Sequence, residues 1–450
     1  MRTLGLRALV SRFVPAGGIL LSVLLFGSYG MGLLRDRVFA RTFGAGAELD
    51  AYNAAFVLPE LLLDVLVDAG LAAPFIPIFL RLRAGDDAHA VGEADRFART
   101  ILSGAIAIVG VAAIVMFVFA EATTALIAGG FSGEQRELYV SLFRVMLVTP
   151  ILFAASNTIG QVLVAERRFF WYGIAPILYN GGTILGTITL SDQLGIYGPA
   201  LGTVLGAGLH LGGRLVGLRG GRTRMGLGFG ASSESVREFV RLMLPKMVSH
   251  PVEQLTVVFF TAVASGLAAG SVTVVSYARN FQSVPVSLIA AAFALAIFPA
   301  LSTAHATGDR RGFLRLLGTN GLSIGVITTF AALGIVVLGE TAIRILLGGG
   351  AFGEDDVRRT AVVLVAFALS VPLESLSLLL SRAIYATEHT LLQVLATLAG
   401  FAATVAATLL LLPGAGIVAI PLGFTIGQGV KLVLLALALA VRLRRFSGSG

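Results

Sequence analysis

Apolar runs recur along the whole chain, each close to the roughly 20 residues that a helix needs to cross the hydrocarbon core of a bilayer. They are continuous rather than alternating, so they do not read as barrel strands. A window of about 20 residues predicts about twelve spans, near 14–34, 53–80, 100–129, 138–165, 170–190, 195–217, 238–266, 271–302, 314–339, 360–385, 390–412 and 417–441. The polar intervals are asymmetric. Arginines cluster before the first predicted span (Arg2, Arg7, Arg12) and after the second (Arg81, Arg83, Arg96, Arg99). They recur after the fourth (Arg167, Arg168), the sixth (Arg219, Arg222, Arg224, Arg237) and the eighth (Arg310, Arg311, Arg315), and at the end (Arg442, Arg444, Arg445). The loops after spans five, seven and eleven are nearly bare of basic residues. Basic loops stay on the cytoplasmic side, so both termini are expected there. The first apolar segment is longer than a signal-peptide core and is followed by no small-residue cleavage site. It reads as a retained helix.

The pattern also repeats. "AGGFSGEQRE" (128–137) is echoed by "GGGAFGEDDVRR" (348–359), and "GIYGPALGTVLG" (195–206) by "GIVAIPLGFTIG" (416–427). Pro150 and Pro372 stand at equivalent depths, and "VLVAERR" (162–168) faces "AIYATEH" (383–389). Gly195, Gly202 and Gly206 recur as Gly416, Gly423 and Gly427, an offset of 221 residues. Weak internal symmetry of this kind marks transporters. Six spans per half make the two copies enter the membrane in the same direction, related by an axis along its normal. The expected division is an N-terminal six-helix lobe at 1–218, a basic linker at 219–236 and a C-terminal six-helix lobe at 237–446. The fold class is therefore an all-α polytopic membrane protein built of two parallel repeats.

Composition agrees. Of 450 residues, 56% are hydrophobic and 13% charged, with a mean hydropathy of +0.90, whereas soluble domains carry about 25% charged residues. The net charge of +8 lies in short loops between spans, so topology accounts for it and no nucleic acid is implied. The chain has no cysteine, which removes disulfides, thiolate nucleophiles and cysteine metal sites. Its five histidines form no H-x-x-H or H-E-x-x-H pair, and no G-x-x-x-x-G-K-[ST] loop is present. No cofactor, resident metal or enzyme activity is expected. Glycines within spans read as close-packing contacts.

Ionisable residues inside apolar spans are costly and usually face an interior or a water-filled cavity. Here they cluster in "LLRDRVFARTFGAGAELDAY" (33–52), continuing into "NAAFVLPELLLDVLVDAG" (53–70), and in "SYARNFQSVP" (276–285) with Lys246, His250 and Glu253 one span earlier. Arg35 and Asp36 end the first predicted span, and Asp50 opens the second. Asp50 reads either as a helix-start acid favoured by the macrodipole or as part of a cavity. Arg35 and Arg279, from opposite lobes, would suit a phosphate, because guanidinium offers a fixed fork of donors. Glu60, Asp64 and Asp68 recur every four residues, on one helical face. Like charges so spaced repel. They are either an ion-coupling site or acids paired with Arg35 or water. Pro59, Pro74, Pro77, Pro285 and Pro299 are expected to kink or break two spans.

The stretch "RDRVFARTFGAGAELDAYNAAFVLPELL" (35–62) resembles the N-terminal signature of the MurJ (MviN) family of lipid II flippases, which reads R-D, A-R-x-F-G-A-G, D-A-F and L-P-N-L-L-R-R. "YARNFQSVPVSLIAAAFALAIFPALS" (277–302) is similar to the family's eighth-span signature, A-D-R-L-M-E-L-P followed by small residues and L-P-x-L-S. The resemblance implies a transporter of the MOP superfamily, two six-helix lobes forming a V around a cationic cavity. It implies transport of an undecaprenyl-pyrophosphate-linked peptidoglycan precursor across the bacterial cytoplasmic membrane, driven by membrane potential or an ion gradient. Cargo, membrane lipids and cell-wall synthesis proteins are the implied partners. By position, Arg35, Asp36 and Asp50 match the family's functional arginine and two aspartates. The family's arginine pair falls on Leu63 and Asp64, its eighth-span Asp-Arg on Arg279 and Asn280, and its glutamate on Ser283. Many members also carry two helices beyond these twelve. These departures keep open another lipid-linked oligosaccharide, a cation-coupled drug exporter or a non-transporting membrane scaffold.

Overall fold

In the computed structural model, residues 16–65, 71–84, 88–249, 251–387 and 390–445 are described. Among them the secondary structure is helical, with no strand beyond an isolated bridge between Gly349 and Phe352. By contacts the chain divides into two compact units, Met1–Phe43 with Ala51–Gln254, and Gly44–Asp50 with Leu255–Gly450.

In the first unit, α1 (Ala16–Phe43) is followed by α2 (Ala47–Leu63), α3 (Ala72–Leu82) and α4 (Ala88–Val118). Then come α5 (Ala120–Ile127), α6 (Gly133–Met146), α7 (Val148–Ala165), α8 (Phe169–Leu194), α9 (Tyr197–Leu218) and α10 (Ser233–Ser249). Phe75, Phe79, Phe97 and Phe239 form an aromatic core between α3, α4 and α10. The segment after α9 is fastened to this unit. Glu166 accepts from Arg83 Nη1 at 2.9 Å and from Thr223 N at 3.0 Å, Arg224 N donates to Asp95 at 3.1 Å, and Gly228 N donates to Ser103 at 2.8 Å.

The second unit holds α11 (Pro251–Ser265), whose first residues group with the first unit, then α12 (Ser271–Pro285), a π-turn at Val286–Ala290 and α13 (Ala291–Ala306). It continues through α14 (Arg310–Leu346), α15 (Glu354–Ala368), α16 (Ser370–Ala386), α17 (Thr390–Ala415) and α18 (Ala419–Arg445). Leu301, Phe313, Ile324, Leu379, Ile384 and Leu435 lie in its core.

Large apolar side chains stay exposed along whole helix faces: Val23, Phe26 and Tyr29 on α1, Val111, Ile114 and Val118 on α4, Leu322, Phe330 and Val337 on α14. Water would make such faces aggregate; acyl chains solvate them. This is a multi-pass membrane protein. Among the described residues seven helices are long and apolar enough to cross a bilayer, eight if the pair α15–α16, bent by 42°, counts as one. The expected count of twelve is not reached, for local reasons. Span 53–80 is divided between α2 and α3, and α11 has only 15 residues. In α8, Asn180, Thr183, Thr187 and Thr189 dilute the apolar run. The single stretch Leu391–Leu443 holds two helices, α17 and α18, packed on each other. Pro285 leads into the π-turn rather than a break, while Pro59 and Pro299 sit inside continuous helices.

The repeat is visible in the backbone of each unit. Gly195 and Gly416 both have φ of 54° where one helix ends and the next begins, a conformation that only glycine adopts without strain. In the first unit a Cβ on Gly186 would lie 2.3 Å from Gly202 Cα, and one on Gly206 2.3 Å from the Tyr179 carbonyl, so α8 and α9 touch backbone to backbone. In the second, Gly423 and Gly427 are equally close to Thr408 and Thr404 of α17. Leu147 and Leu369 separate α6 from α7 and α15 from α16, three residues before Pro150 and Pro372. Proline cannot bond back to the preceding turn. Thr149 Oγ1 donates to the Met146 carbonyl at 2.8 Å, the acceptor four residues before Pro150, and Ser370 Oγ donates to the Phe367 carbonyl at 2.7 Å, five residues before Pro372.

Candidate functional site

Arg35 lies two turns from the end of α1, half-buried. Its Nε and Nη2 donate to Asp36 Oδ1 at 3.1 and 2.8 Å, and its Nη1 donates to Asn180 Oδ1 at 3.2 Å. Asn180 is oriented by its own amide, whose Nδ2 donates to the Pro176 carbonyl one turn earlier in α8, at 3.0 Å. That leaves Oδ1 facing the arginine. Nearby on α2, the Tyr52 hydroxyl is 2.7 Å from Thr203 Oγ1, and the Tyr52 ring packs edge-on against Phe39 at 5.1 Å. A guanidinium whose three nitrogens are held by a carboxylate and an amide has a fixed orientation, with the second hydrogens of Nη1 and Nη2 as donors for an incoming phosphate.

Arg279, on α12, is held more completely. Its Nη2 and Nη1 donate to the two oxygens of Glu374 on α16 at 2.8 and 3.0 Å. Gln282, one turn on, accepts from Nη1 and donates through Nε2 to Glu374 at 2.9 Å and to Ser370 Oγ at 3.2 Å. The guanidinium also stacks 4.6 Å above the Phe424 ring. This is a fork-on-fork ion pair with its remaining acceptors satisfied, the arrangement that makes a charge pair tolerable at low dielectric.

Asp50 is 2% exposed and its carboxylate is engaged by the second unit, to which it belongs. Oδ2 accepts from Gly270 N at 2.7 Å, and Oδ1 accepts from Thr273 N and Oγ1 at 2.8 and 2.7 Å. It caps the first turn of α12, matching the positive end of that helix, besides standing in the first turn of its own helix. Gly270, at φ 86°, admits this docking, because a Cβ there would meet the Ala45 carbonyl. Asn280 is exposed on α12. Glu60 is exposed on α2, and Asp64, just past the end of α2, accepts from Gln254 of α11. Asp68 lies outside the described residues. The predicted site residues therefore fall into three groupings: Arg35 with Asp36, Arg279 alone with new partners, and Asp50 in a capping role.

Sequence reasoning missed Asn180, Gln282 and Glu374. Glu374 is the lone acid in the apolar run 360–379, and the expectation that an intramembrane acid pairs with a base points from it to Arg279.

A polytopic helical chain with an internal repeat and membrane-depth arginines braced by acids and amides defines a transporter. The sequence profile of the family described as lipid II flippase MurJ matches residues 39–450. The chain belongs to that family. Among its relatives, a probable lipid II flippase MurJ of Rickettsia prowazekii is 24% identical over 93% of this chain and 82% of its own length. A second, of Thermotoga maritima, is 26% identical over 82% of this chain and 73% of its own length. The lipid II flippase MurJ of Burkholderia cenocepacia is 24% identical over 91% and 81%. Two solved structures share the fold. A lipid II flippase MurJ in an inward closed conformation has a TM-score of 0.78 at 23% identity, over 95% of this chain and 90% of that one. An inward-facing multidrug-resistance MATE transporter of the MOP superfamily reaches 0.81 at 17% identity, over 93% and 95%.

Proposed function

We propose that this protein is a lipid II flippase, moving a polyprenyl-pyrophosphate-linked peptidoglycan precursor from the inner to the outer leaflet of the bacterial cytoplasmic membrane by alternating access, with both termini cytoplasmic. The observation that carries this reading is the family match, which spans both halves of the internal repeat. The arginine geometry supports it. Arg35 is held through all three guanidinium nitrogens by Asp36 and Asn180, and the second hydrogens of Nη1 and Nη2 are the donors a pyrophosphate would take up. Within the second unit Arg279, paired with Glu374, is a further guanidinium able to take a phosphate once that carboxylate gives way, a carboxylate and a phosphate oxygen pair being alike in geometry and charge. The lipid tail stays in the bilayer.

No nucleotide is needed for the direction. A potential negative inside favours outward movement of each negative charge by about 2.3 kcal/mol per 100 mV, less whatever is cancelled by cations that move with it. The test is purified protein in proteoliposomes holding lipid II, with an external probe that reacts only with outer-leaflet head groups. Time-dependent exposure that is lost in Arg35→Ala supports the proposal. Exposure at the rate of protein-free vesicles, or unchanged exposure in that variant, overturns it. The acid at Asp64, where the family carries an arginine, favours a second reading as a cation-coupled exporter; that reading requires proton-driven dye efflux lost in Asp64→Asn.

A further inference from the structure

Within the first unit, the segment between α9 and α10 runs along α4, turns and comes back. Arg224 N donates to Asp95 Oδ2 at 3.1 Å and Gly228 N to Ser103 Oγ at 2.8 Å, and on the return Gly230 N and Ala231 N both donate to Thr100 Oγ1 at 3.1 Å. Arg99 Nε donates to the Arg224 carbonyl at 2.8 Å and fastens the base of this hairpin. Met225 and Ala231 turn inward onto the aromatic core of the unit. Leu227 and Phe229, alternate residues at the tip, turn outward and are 74% and 75% exposed. Apolar side chains exposed singly are ordinary. What sets this pair apart is its place.

Thr100 and Ser103, which hold the tip, lie at helical spacing on the same side of α4 as Ile114 and Val118, two of the exposed apolar side chains that acyl chains solvate. The hairpin thus covers the beginning of a lipid-facing stripe, and Leu227 and Phe229 continue that stripe on its outer surface. Toward the other end of the hairpin stand the exposed arginines Arg96, Arg222 and Arg224. From Arg96 to Ser103 the helix rises about 10 Å, a depth over which interfacial elements bury an apolar side beneath the head groups. An apolar tip at the deep end and cations at the shallow end match a leaflet whose surface is anionic. We propose that Met225–Gly230 is a membrane anchor: Leu227 and Phe229 insert among the acyl chains of the leaflet at the arginine-bearing end of α4, and Arg96, Arg222 and Arg224 take the phosphates of anionic phospholipids. The anchor fixes the depth of the segment that joins the two halves of the repeat. It is independent of the cargo and of the transport reading.

Trp171 is the single tryptophan of the chain, so Trp171→Phe combined with Phe229→Trp places one indole at the tip. The full-length variant is reconstituted in lipid nanodiscs, whose two faces are both open to added quencher, made of phosphatidylcholine alone or with phosphatidylglycerol. The expected result in the mixed discs is blue-shifted emission, strong quenching by lipids brominated along their acyl chains, and weak quenching by iodide. Leu227→Trp in the same background serves as the second reporter if the first variant fails to fold by gel filtration, and it behaves likewise. Adding Arg96→Gln and Arg224→Gln is expected to raise iodide quenching in the mixed discs, by up to about fivefold for each arginine lost, and to change it little in phosphatidylcholine alone. An indole quenched by iodide as readily as free tryptophan and untouched by brominated acyl chains would place the tip in water and overturn the anchor, leaving Leu227 and Phe229 to a protein partner. Deep insertion that is the same in both lipids and in the arginine variants would overturn the role of the arginines.

Discussion

Arg35 and Arg279 are both arginines at membrane depth, yet they are held differently. Arg35 shares a single carboxylate oxygen of Asp36 and leans on a neutral amide. Arg279 is clasped by both oxygens of Glu374 and by Gln282. Glu374→Gln keeps the shape and removes the competing charge. It is expected to tighten pyrophosphate binding by about tenfold, near 1.4 kcal/mol, while slowing release, so that affinity rises and turnover falls; unchanged affinity in a ligand titration would refute the exchange role. Arg35→Lys keeps the charge but loses the fork and is expected to retain a minor part of the binding that Arg35→Ala abolishes. Arg35, Asp36 and Arg279 were legible in the sequence as charges in apolar runs. Their partners were not, because Asn180 and Gln282 are ordinary polar residues until a helix face turns them toward a guanidinium.

The helices themselves were largely foreseeable, and so was the repeat, since Gly195 and Gly416 share one backbone conformation 221 residues apart. What hydropathy could not show is where a span breaks. The division at Leu147 depends on the missing donor of Pro150 together with Thr149, whose hydroxyl covers the Met146 carbonyl that the proline leaves open, a three-dimensional match that an averaged window does not contain. Nor does any window reveal that Asp50 caps a helix beginning 221 residues later, at Ser271. The glycine contact of α8 with α9 leaves no room for a side chain. Gly186→Val is therefore expected to cost about 1–3 kcal/mol through overpacking, read as a lower thermal midpoint in detergent, whereas Gly208→Ala, facing open space, is expected to change it little.

For the molecule as a whole, the Asp50 tie joins a segment from the N-terminal part of the chain to the unit built from the C-terminal part. Because Gly44–Asp50 belongs to that unit, the tie is internal to it and is expected to persist while the protein works. With no native cysteine to interfere, Asp50→Cys with Thr273→Cys is expected to cross-link under mild oxidation and to leave lipid II exposure the same before and after reduction; exposure blocked only while cross-linked would show that the tie opens in the cycle. That the chain carries lipid II, and does so through Arg35, is tested by the rescue of a bacterium depleted of its own lipid II flippase, with surface-exposed lipid II as the readout and membrane insertion verified in parallel. Growth and restored surface lipid II are expected with the parent protein, and neither with an equally inserted Arg35→Ala variant. Failure of the well-inserted parent protein to restore either would contradict the cargo, and rescue by the variant would contradict the site.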